Sequence, residues 1–229
     1  MNPHFDLEPQ FLQLYEACRT ETMTSIERMY ALYKAVEHVV RVGIEGDFAE
    51  CGVWRGGSAM MMALAARRFG DAGRRIWLYD TFAGMTPPSP RDVQSATGRC
   101  AADILAASPR DEGDPFWGIA PRAVVEENLA RTSHPPEGWK IVEGDVLETL
   151  PGNAPESLAI LRLDTDWHDS TDHELRTLYP RLVRGGILIV DDYGYWSGAR
   201  EAVDLYFEEA GARPLLSRID CTGRIAVKP

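Results

Sequence analysis

Short apolar runs alternate with amphipathic stretches along most of the chain. Five runs end on an acidic residue or within two positions of one and are predicted to be buried strands, at 47–52, 75–80, 139–145, 158–164 and 187–192. Apolar residues near a 3.6-residue period predict four helices, at 22–42, 58–69, 173–182 and 201–210. Glycine turns separate several of these elements, and 184–186 is predicted to be one of them.

This alternation predicts an α/β fold with a mostly parallel, seven-stranded sheet and helices on both faces. Two short runs at 215–219 and 224–227 predict an antiparallel C-terminal hairpin at one edge. We expect a single domain spanning 1–229 that begins with a helical segment, 1–46.

Residues 82–121 interrupt the pattern with prolines, glycines and mixed charges. Such an insertion in a compact domain is usually a functional loop or a mobile one. Because it follows the acid-ending second strand, we predict a lid over the ligand cleft. A mobile surface loop without a role is the alternative.

Composition and charge exclude some classes of binding partner. The chain of 229 residues carries a net charge of −11, which argues against nucleic acid or an anionic membrane. No apolar run reaches membrane-spanning length, and residues 1–10 lack the apolar core of a secretory signal, so we expect a cytoplasmic protein. The four cysteines are scattered, which disfavours a zinc knuckle or a disulfide framework.

A glycine loop follows the first strand, where ligands bind in parallel sheets. Gly52 permits a sharp turn, and Gly56 and Gly57 permit close approach of a ligand to the backbone. Ser58 is predicted to cap the next helix, whose free N–H groups suit a carboxylate such as that of a methionine moiety. The spacing is not GxGxxG, which disfavours a dinucleotide, and an ordinary strand–turn–helix joint remains an alternative.

Acids at the next two strand ends suit a nucleoside. Asp80 stands where nucleotide folds hydrogen-bond ribose hydroxyls, and Asp145 stands where an adenine amino group is read. The alternative for Asp80 is an ordinary solvated strand-terminal acid.

Three further acids are predicted to meet at one edge of the sheet. Asp164 ends the fourth strand, and Asp191 and Asp192 end the fifth. Converging carboxylates repel unless a cation or protons intervene, and oxygen ligands favour a hard cation such as Mg²⁺. The alternative is a set of helix caps and solvated loop acids.

The chain resembles the TylF/MycF/NovP (macrocin-type) O-methyltransferases in four stretches, which read FAECGVWRGGS at 48–58, YDTFAGM at 79–85, LDTDWHDST at 163–171 and GGILIVDDYG at 185–194. The resemblance extends over about 22–228. It implies a Rossmann-like class I methyltransferase that uses S-adenosylmethionine and Mg²⁺. The implied acceptor is a hydroxyl of a small molecule, often a sugar of a glycosylated natural product, and the implied assembly is a homodimer or larger.

The resemblance also implies roles for individual residues. Asp164, Asp191 and Asp192 are implied to bind the metal. Asp164 is also a candidate base, and His168, in the loop expected to overhang the acceptor, is a second one. The residues expected to face the cofactor are Glu50, Gly52, Val53, Ser58, Asp80 and Asp145. His168 stands where the family pattern has tyrosine, and Thr165 stands where the sugar enzymes often have glycine, so the acceptor stays open.

Other functions remain to be separated from this one. Methylation of a catechol or another phenol needs the same cofactor and metal. A non-catalytic nucleotide-binding α/β protein needs the sheet but not the acidic cluster. An NAD-dependent oxidoreductase is disfavoured by the glycine spacing.

Overall fold

One sheet organises the protein, for which a computed structural model describes residues 6–211 and 214–229. Its strands are β1 (Asp47–Cys51), β2 (Ile76–Asp80), β3 (Trp139–Glu143), β4 (Leu158–Leu163), β5 (Leu182–Val190), β6 (Ser217–Arg218) and β7 (Arg224–Val227). In the described residues they form the order β3-β2-β1-β4-β5-β7-β6. β1 to β5 pair in parallel, whereas β7 runs antiparallel to both β5 and β6. The predicted fold class is confirmed.

Helices cover both faces of this sheet. Within the described residues they are α1 (Pro9–Cys18), α2 (Ile26–Val42), α3 (Gly57–Phe69), α4 (Ala101–Ala107), α5 (Arg122–Ala130), α6 (Val146–Thr149), α7 (His168–Leu178) and α8 (Ser197–Glu209). Because strand side chains alternate, Phe48 packs into a core with α2 and α3, and Ala49 packs into a second core with α7 and α8. No helix of the described chain combines the length and apolar character needed to cross a bilayer.

Several element boundaries differ from the predicted ones. α2 starts at Ile26 rather than at 22, because Ser25 is extended and its Oγ accepts a hydrogen bond from the Arg28 N–H. α7 occupies His168–Leu178 rather than 173–182. The predicted turn at 184–186 is wrong, because β5 runs through it with Gly185 in the left-handed region at φ 80°.

Some helices were not predicted from the sequence patterns. α1 lies in the predicted N-terminal segment 1–46, whose first five residues are outside the described ones. It buries Phe11 and Cys18 in the core beside α2 and α3. α4 falls inside residues 82–121, and α5 directly follows them. Each of these helices is ten residues long or shorter, so it shows few repeats of a helical period.

The insertion segment, defined as residues 82–121, is hydrogen-bonded to the loops that follow β4 and β5. The carboxylate of Asp92 is fully buried and accepts a 2.8 Å hydrogen bond from the N–H of His168 at the start of α7. The N–H of Ser95 donates to the carbonyl of Tyr195, and the N–H of Ser197 donates to the carbonyl of Val93. The segment is therefore anchored beside the carboxyl ends of the central strands, and its role as a lid stays a prediction.

The ends of β1 and β4 approach each other at Gly52. Its φ is 83°, and a Cβ added there would collide with the backbone carbonyl of Asp164. The N–H of Asp164 in turn donates to the carbonyl of Cys51 over 2.8 Å. Glycine at 52 is thus required by both its backbone conformation and the crossing chain.

Gly52→Ala should destabilise the protein far more than Gly70→Ala. Both glycines are left-handed, with φ 83° and 98°, but a Cβ at Gly70 would meet nothing within 4 Å. The shared conformational cost is about 1–2 kcal/mol, and the collision at Gly52 should add about 2 kcal/mol or more. Denaturant unfolding of both variants measures the difference, and equal losses would contradict this packing.

Candidate active site

A cavity of about 440 Å³ opens at the carboxyl ends of the parallel strands. A cleft of this size suits a small-molecule ligand. Its lining comes from the glycine loop, the ends of β2 to β5, the segment before α2 and the insertion segment. The lining residues include Thr22, Met23, Arg28, Gly52, Val53, Trp54, Ser58, Asp80, Met85, Phe116, Asp145, Arg162, Asp164, Asp166, Asp191, Asp192 and Trp196. Most of the sequence-predicted site residues therefore face one space.

The glycine loop ends differently from the prediction. Gly56 is the N-cap of α3, with φ 88°, and Ser58 is already inside the helix. The predicted capping role of Ser58 is therefore wrong, and its Oγ lies 3.8 Å from Met29 Sδ. The first N–H of the helix, at Gly57, donates to the carbonyl of Glu21 over 2.8 Å. This bond ties the segment before α2 to the start of α3.

Asp80 organises the glycine loop. Its Oδ2 accepts hydrogen bonds from the N–H groups of Val53 at 2.6 Å and Trp54 at 3.0 Å, and its Oδ1 accepts one from Phe82 at 2.8 Å. Burial raises the pKa of Asp80, and these backbone donors oppose that rise. They also stabilise Trp54 and Phe82 at their positive φ values of 47° and 51°. A bond from Asp80 to a ribose stays a prediction.

Asp145 and Glu50 occupy different places around the cavity. Asp145 lines it and caps α6 by accepting a 2.9 Å hydrogen bond from the Leu147 N–H. Glu50 is fully buried beneath it and accepts a 2.6 Å bond from Arg162. Burial raises the pKa of Glu50 to about 7 despite the adjacent arginine. Glu50 is thus connected to the cavity through Arg162, which lines it.

Three carboxylates form an acidic cluster at one end of the cavity. One oxygen each of Asp164, Asp166 and Asp192 lies within 4.8 Å of the others. Oδ2 of Asp192 is buried, and no group of the described residues donates a hydrogen bond to it while the carboxyls are ionised. Burial and mutual repulsion raise the pKa values of Asp164 and Asp192 well above the ordinary range. This oxygen-only set, with an unsatisfied acceptor, fits a hard divalent cation.

Asp191 is not one of these three carboxylates. Its carboxylate is bound by the guanidinium of Arg28, by Nη2 of Arg162 at 2.7 Å and by the hydroxyl of Thr24 at 3.1 Å. The structure brings Asp166 to the cluster instead, with its backbone in the left-handed region at φ 71°. Asp166 was visible in the sequence two positions after Asp164, but its direction depends on that unusual φ.

Arg162 is the cation that the sequence patterns missed. It is 3% exposed within β4, where its Nη1 donates to Glu50 at 2.6 Å and to Asp164 at 2.7 Å. Burial lowers its pKa, but Asp164, Asp191 and Glu50 outweigh burial and hold the pKa well above its usual value. An arginine in an otherwise apolar strand was the signal, since such a residue is rarely buried without acidic partners.

His168 lies outside the cavity wall. Its Nε2 is 3.1 Å from Nη1 of Arg91, and its Nδ1 is 2.8 Å from Asp169. The ring is therefore held between an arginine and an acid at the start of α7. The structure does not bring it to the acidic cluster.

A further buried acid, Glu174 of α7, supports the turn that carries the cluster. Glu174 is fully buried, and its Oε1 accepts a 2.9 Å hydrogen bond from the hydroxyl of Thr165. Its Oε2 has no hydrogen-bond partner among the described residues. Burial raises the pKa of Glu174 to about 8. It therefore keeps its proton at neutral pH and supports the turn without adding charge.

Glu174→Gln should change how stability depends on pH. A glutamate has a pKa of about 4.3 in the unfolded chain, so the folded protein binds the additional proton between that pH and about 8. Stability is thereby lost as pH rises through this window, by at most about 1.4 kcal/mol per pH unit. We expect the variant to gain stability over the unchanged protein progressively from pH 5 to 8.

Unfolding free energies at a series of pH values measure this gain. The exposed Glu156, changed to Gln, provides the control. A pH-independent difference between Glu174→Gln and the unchanged protein would contradict the raised pKa.

Comparison with known proteins identifies a family that the chain matches. A family model described as macrocin-O-methyltransferase (TylF) matches residues 16–227. A tetracenomycin-rhamnoside 4'-O-methyltransferase of Streptomyces olivaceus is 34% identical over 220 residues, which cover 95% of this chain and 79% of that protein. Demethyldecarbamoylnovobiocin O-methyltransferase of Streptomyces niveus is 31% identical, with 88% and 73% covered.

The fold comparison points the same way. The solved structure of the O-methyltransferase NovP superposes with a TM-score of 0.76 at 29% identity, and the match covers 91% of this chain and 82% of that one. The fold of this chain is therefore similar to that of NovP along most of its length.

Proposed function

Because the chain belongs to the macrocin O-methyltransferase (TylF) family and is an S-adenosylmethionine-dependent O-methyltransferase, we propose that it methylates a sugar hydroxyl of a natural product with the help of Mg²⁺. The observation that supports this most strongly is the acidic cluster at the end of a cavity that begins at the glycine loop. One relative is named as a 4'-O-methyltransferase of a rhamnosyl tetracenomycin, and another is named as demethyldecarbamoylnovobiocin O-methyltransferase.

S-adenosylmethionine would bind along the glycine-loop side of the cavity. Gly52, Val53 and Ser58 line that side, and Asp80 and Asp145 line the neighbouring strand ends. This arrangement supports contacts with the methionine moiety at the loop and with the nucleoside at the two acids. Glu50 would act from beneath, by fixing Arg162 in the cavity floor.

Asp164, Asp166 and Asp192 would hold Mg²⁺. When bound, such a cation polarises an acceptor hydroxyl and stabilises the charge that develops on its oxygen. The geometry supports Asp166 as the third carboxylate, because one of its oxygens lies within 4.8 Å of oxygens of Asp164 and Asp192, whereas both oxygens of Asp191 are held by arginines, Arg28 and Arg162. These pairs leave Asp191 to hold the wall of the site from the side of α2.

Proton removal is assigned to a carboxylate of the cluster. We propose Asp164 as the base, because it lines the cavity and belongs to the acidic cluster. His168, the other candidate, is held by Arg91 and Asp169 outside the cavity wall, which supports it less. A base must reach the reacting hydroxyl directly or through one water.

The acceptor side of the cavity supports a largely uncharged substrate. Its walls include the apolar side chains of Met23, Trp54, Met85 and Phe116. Among the described residues that line the cavity, the cationic ones are Arg28 and Arg162, and both are paired with carboxylates. This supports a glycoside that carries no phosphate, since phosphate recognition uses unpaired cations.

Asp192→Asn should separate the metal from the methyl donor. Removing one charged oxygen should weaken Mg²⁺ binding by about tenfold or more and slow transfer at least as much, whereas affinity for S-adenosylhomocysteine should change less than twofold. Calorimetry with S-adenosylhomocysteine and then Mg²⁺ measures both affinities. Asp172→Asn, on the surface of α7 and paired with Arg176, is the control. Unchanged transfer in Asp192→Asn, or full activity in excess chelator, would refute the metal role.

A panel of acceptors tests the substrate class. With a labelled methyl donor, we expect transfer to deoxysugar glycosides of aromatic aglycones and little transfer to catechols. A preference for catechols would assign the cavity to phenol methylation instead. If no acceptor is methylated although S-adenosylmethionine binds, the proposed acceptor class is overturned.

A further inference from the structure

The turn that carries two of the cluster carboxylates has an unfavourable backbone. Asp166 lies at φ 71°, a region that residues other than glycine adopt infrequently. Its carboxylate also faces Asp164 and Asp192, and like charges at this range repel. The turn therefore needs interactions that hold the Asp166 side chain in the cluster.

One such interaction comes from an indole. Nε1 of Trp196 donates a 3.1 Å hydrogen bond to Oδ2 of Asp166. The N–H of the Trp196 backbone donates to the carbonyl of Asp192, also over 3.1 Å. A single residue thus bonds to both loops that supply the acidic cluster.

Trp196 is itself firmly fixed. Its side chain is 2% exposed and lies edge-on to Trp167, with ring centroids 5.0 Å apart and an interplanar angle of 68°. Its backbone pairs with Gln94 of the insertion segment. An indole has few rotatable bonds and can only donate, so once packed it presents its N–H in one direction.

We propose that Trp196 is a positioning residue, whose indole N–H holds the Asp166 carboxylate in the acidic cluster and thereby prepares the site for a divalent cation. This inference rests on the proposed metal site and adds a residue that acts without touching the cation. The opposite side of the turn is held independently, through the Thr165 hydroxyl and Glu174. Groups that orient metal ligands typically contribute about 10- to 100-fold in metal affinity.

Trp167 provides a matched control. It forms the other half of the edge-on pair, is 4% exposed, and its Nε1 donates to the carbonyl of Thr86 over 2.9 Å. Trp196→Phe and Trp167→Phe therefore each remove one indole N–H and the same ring volume from one aromatic contact. They differ in whether the lost bond reached Asp166.

Metal binding to the enzyme loaded with S-adenosylhomocysteine is the primary measurement. Mn²⁺ titrated by electron paramagnetic resonance, and Mg²⁺ titrated by calorimetry, should bind Trp196→Phe about tenfold or more weakly than the unchanged enzyme. Trp167→Phe should stay within about threefold, and affinity for S-adenosylhomocysteine should stay within about twofold in both. Trp196→His, which returns a ring N–H to the corresponding ring position, should recover part of the loss.

Thermal unfolding of each variant identifies any loss of fold. If Trp196→Phe does not fold, Trp196→His is compared with Trp167→Phe instead. Metal binding weakened to the same degree in these two variants would overturn the proposal. Unchanged metal affinity in a folded Trp196→Phe would overturn it as well. Failure of the unchanged enzyme to bind either cation would overturn the proposed metal site itself, a result distinct from a defect confined to the variant.

Discussion

The buried guanidinium of Arg162 is the interaction on which the site depends. It lies within β4 and bonds to acids from three neighbouring strand ends: Glu50, Asp164 and Asp191. These carboxylates would repel one another across the centre of the sheet without a cation between them. Removing the arginine would leave uncompensated buried charge, a far larger cost than that of losing a surface ion pair.

Much of the fold follows from local patterns in the sequence. Apolar runs ending in acids located β1 to β5, and the glycines marked the loop after β1, because strand burial and left-handed turns leave clear residue preferences. Short helices such as α1 and α4 leave few repeats and were missed. Ser58 was assigned to the wrong side of the helix boundary because Gly56 ends the turn through a positive φ.

The position of the candidate site could be predicted from the sequence, but the contacts of its individual residues could not. Asp164 and Asp192 were recognised because the carboxyl ends of adjacent parallel strands must meet. Asp166 rather than Asp191 belongs to the acidic cluster. This depends on Arg28, which is 163 positions from Asp191 in the chain, and on the backbone conformation of Asp166, which composition does not reveal. His168 illustrates the same limit, since Arg91 of the insertion segment binds its ring away from the cavity.

The anchoring of the insertion segment has a consequence for how such enzymes diversify. Asp92 is bonded to the first residue of α7, and Gln94 is paired with Trp196, so the segment that forms part of the cavity wall also contacts the loops bearing the carboxylates. Exchanging the whole segment for that of a relative would therefore change both the cavity wall and the contacts to these loops. A chimera that keeps residues 89–97 and replaces the rest of the insertion segment would leave these contacts in place, so the cavity wall could be varied separately from the acidic cluster.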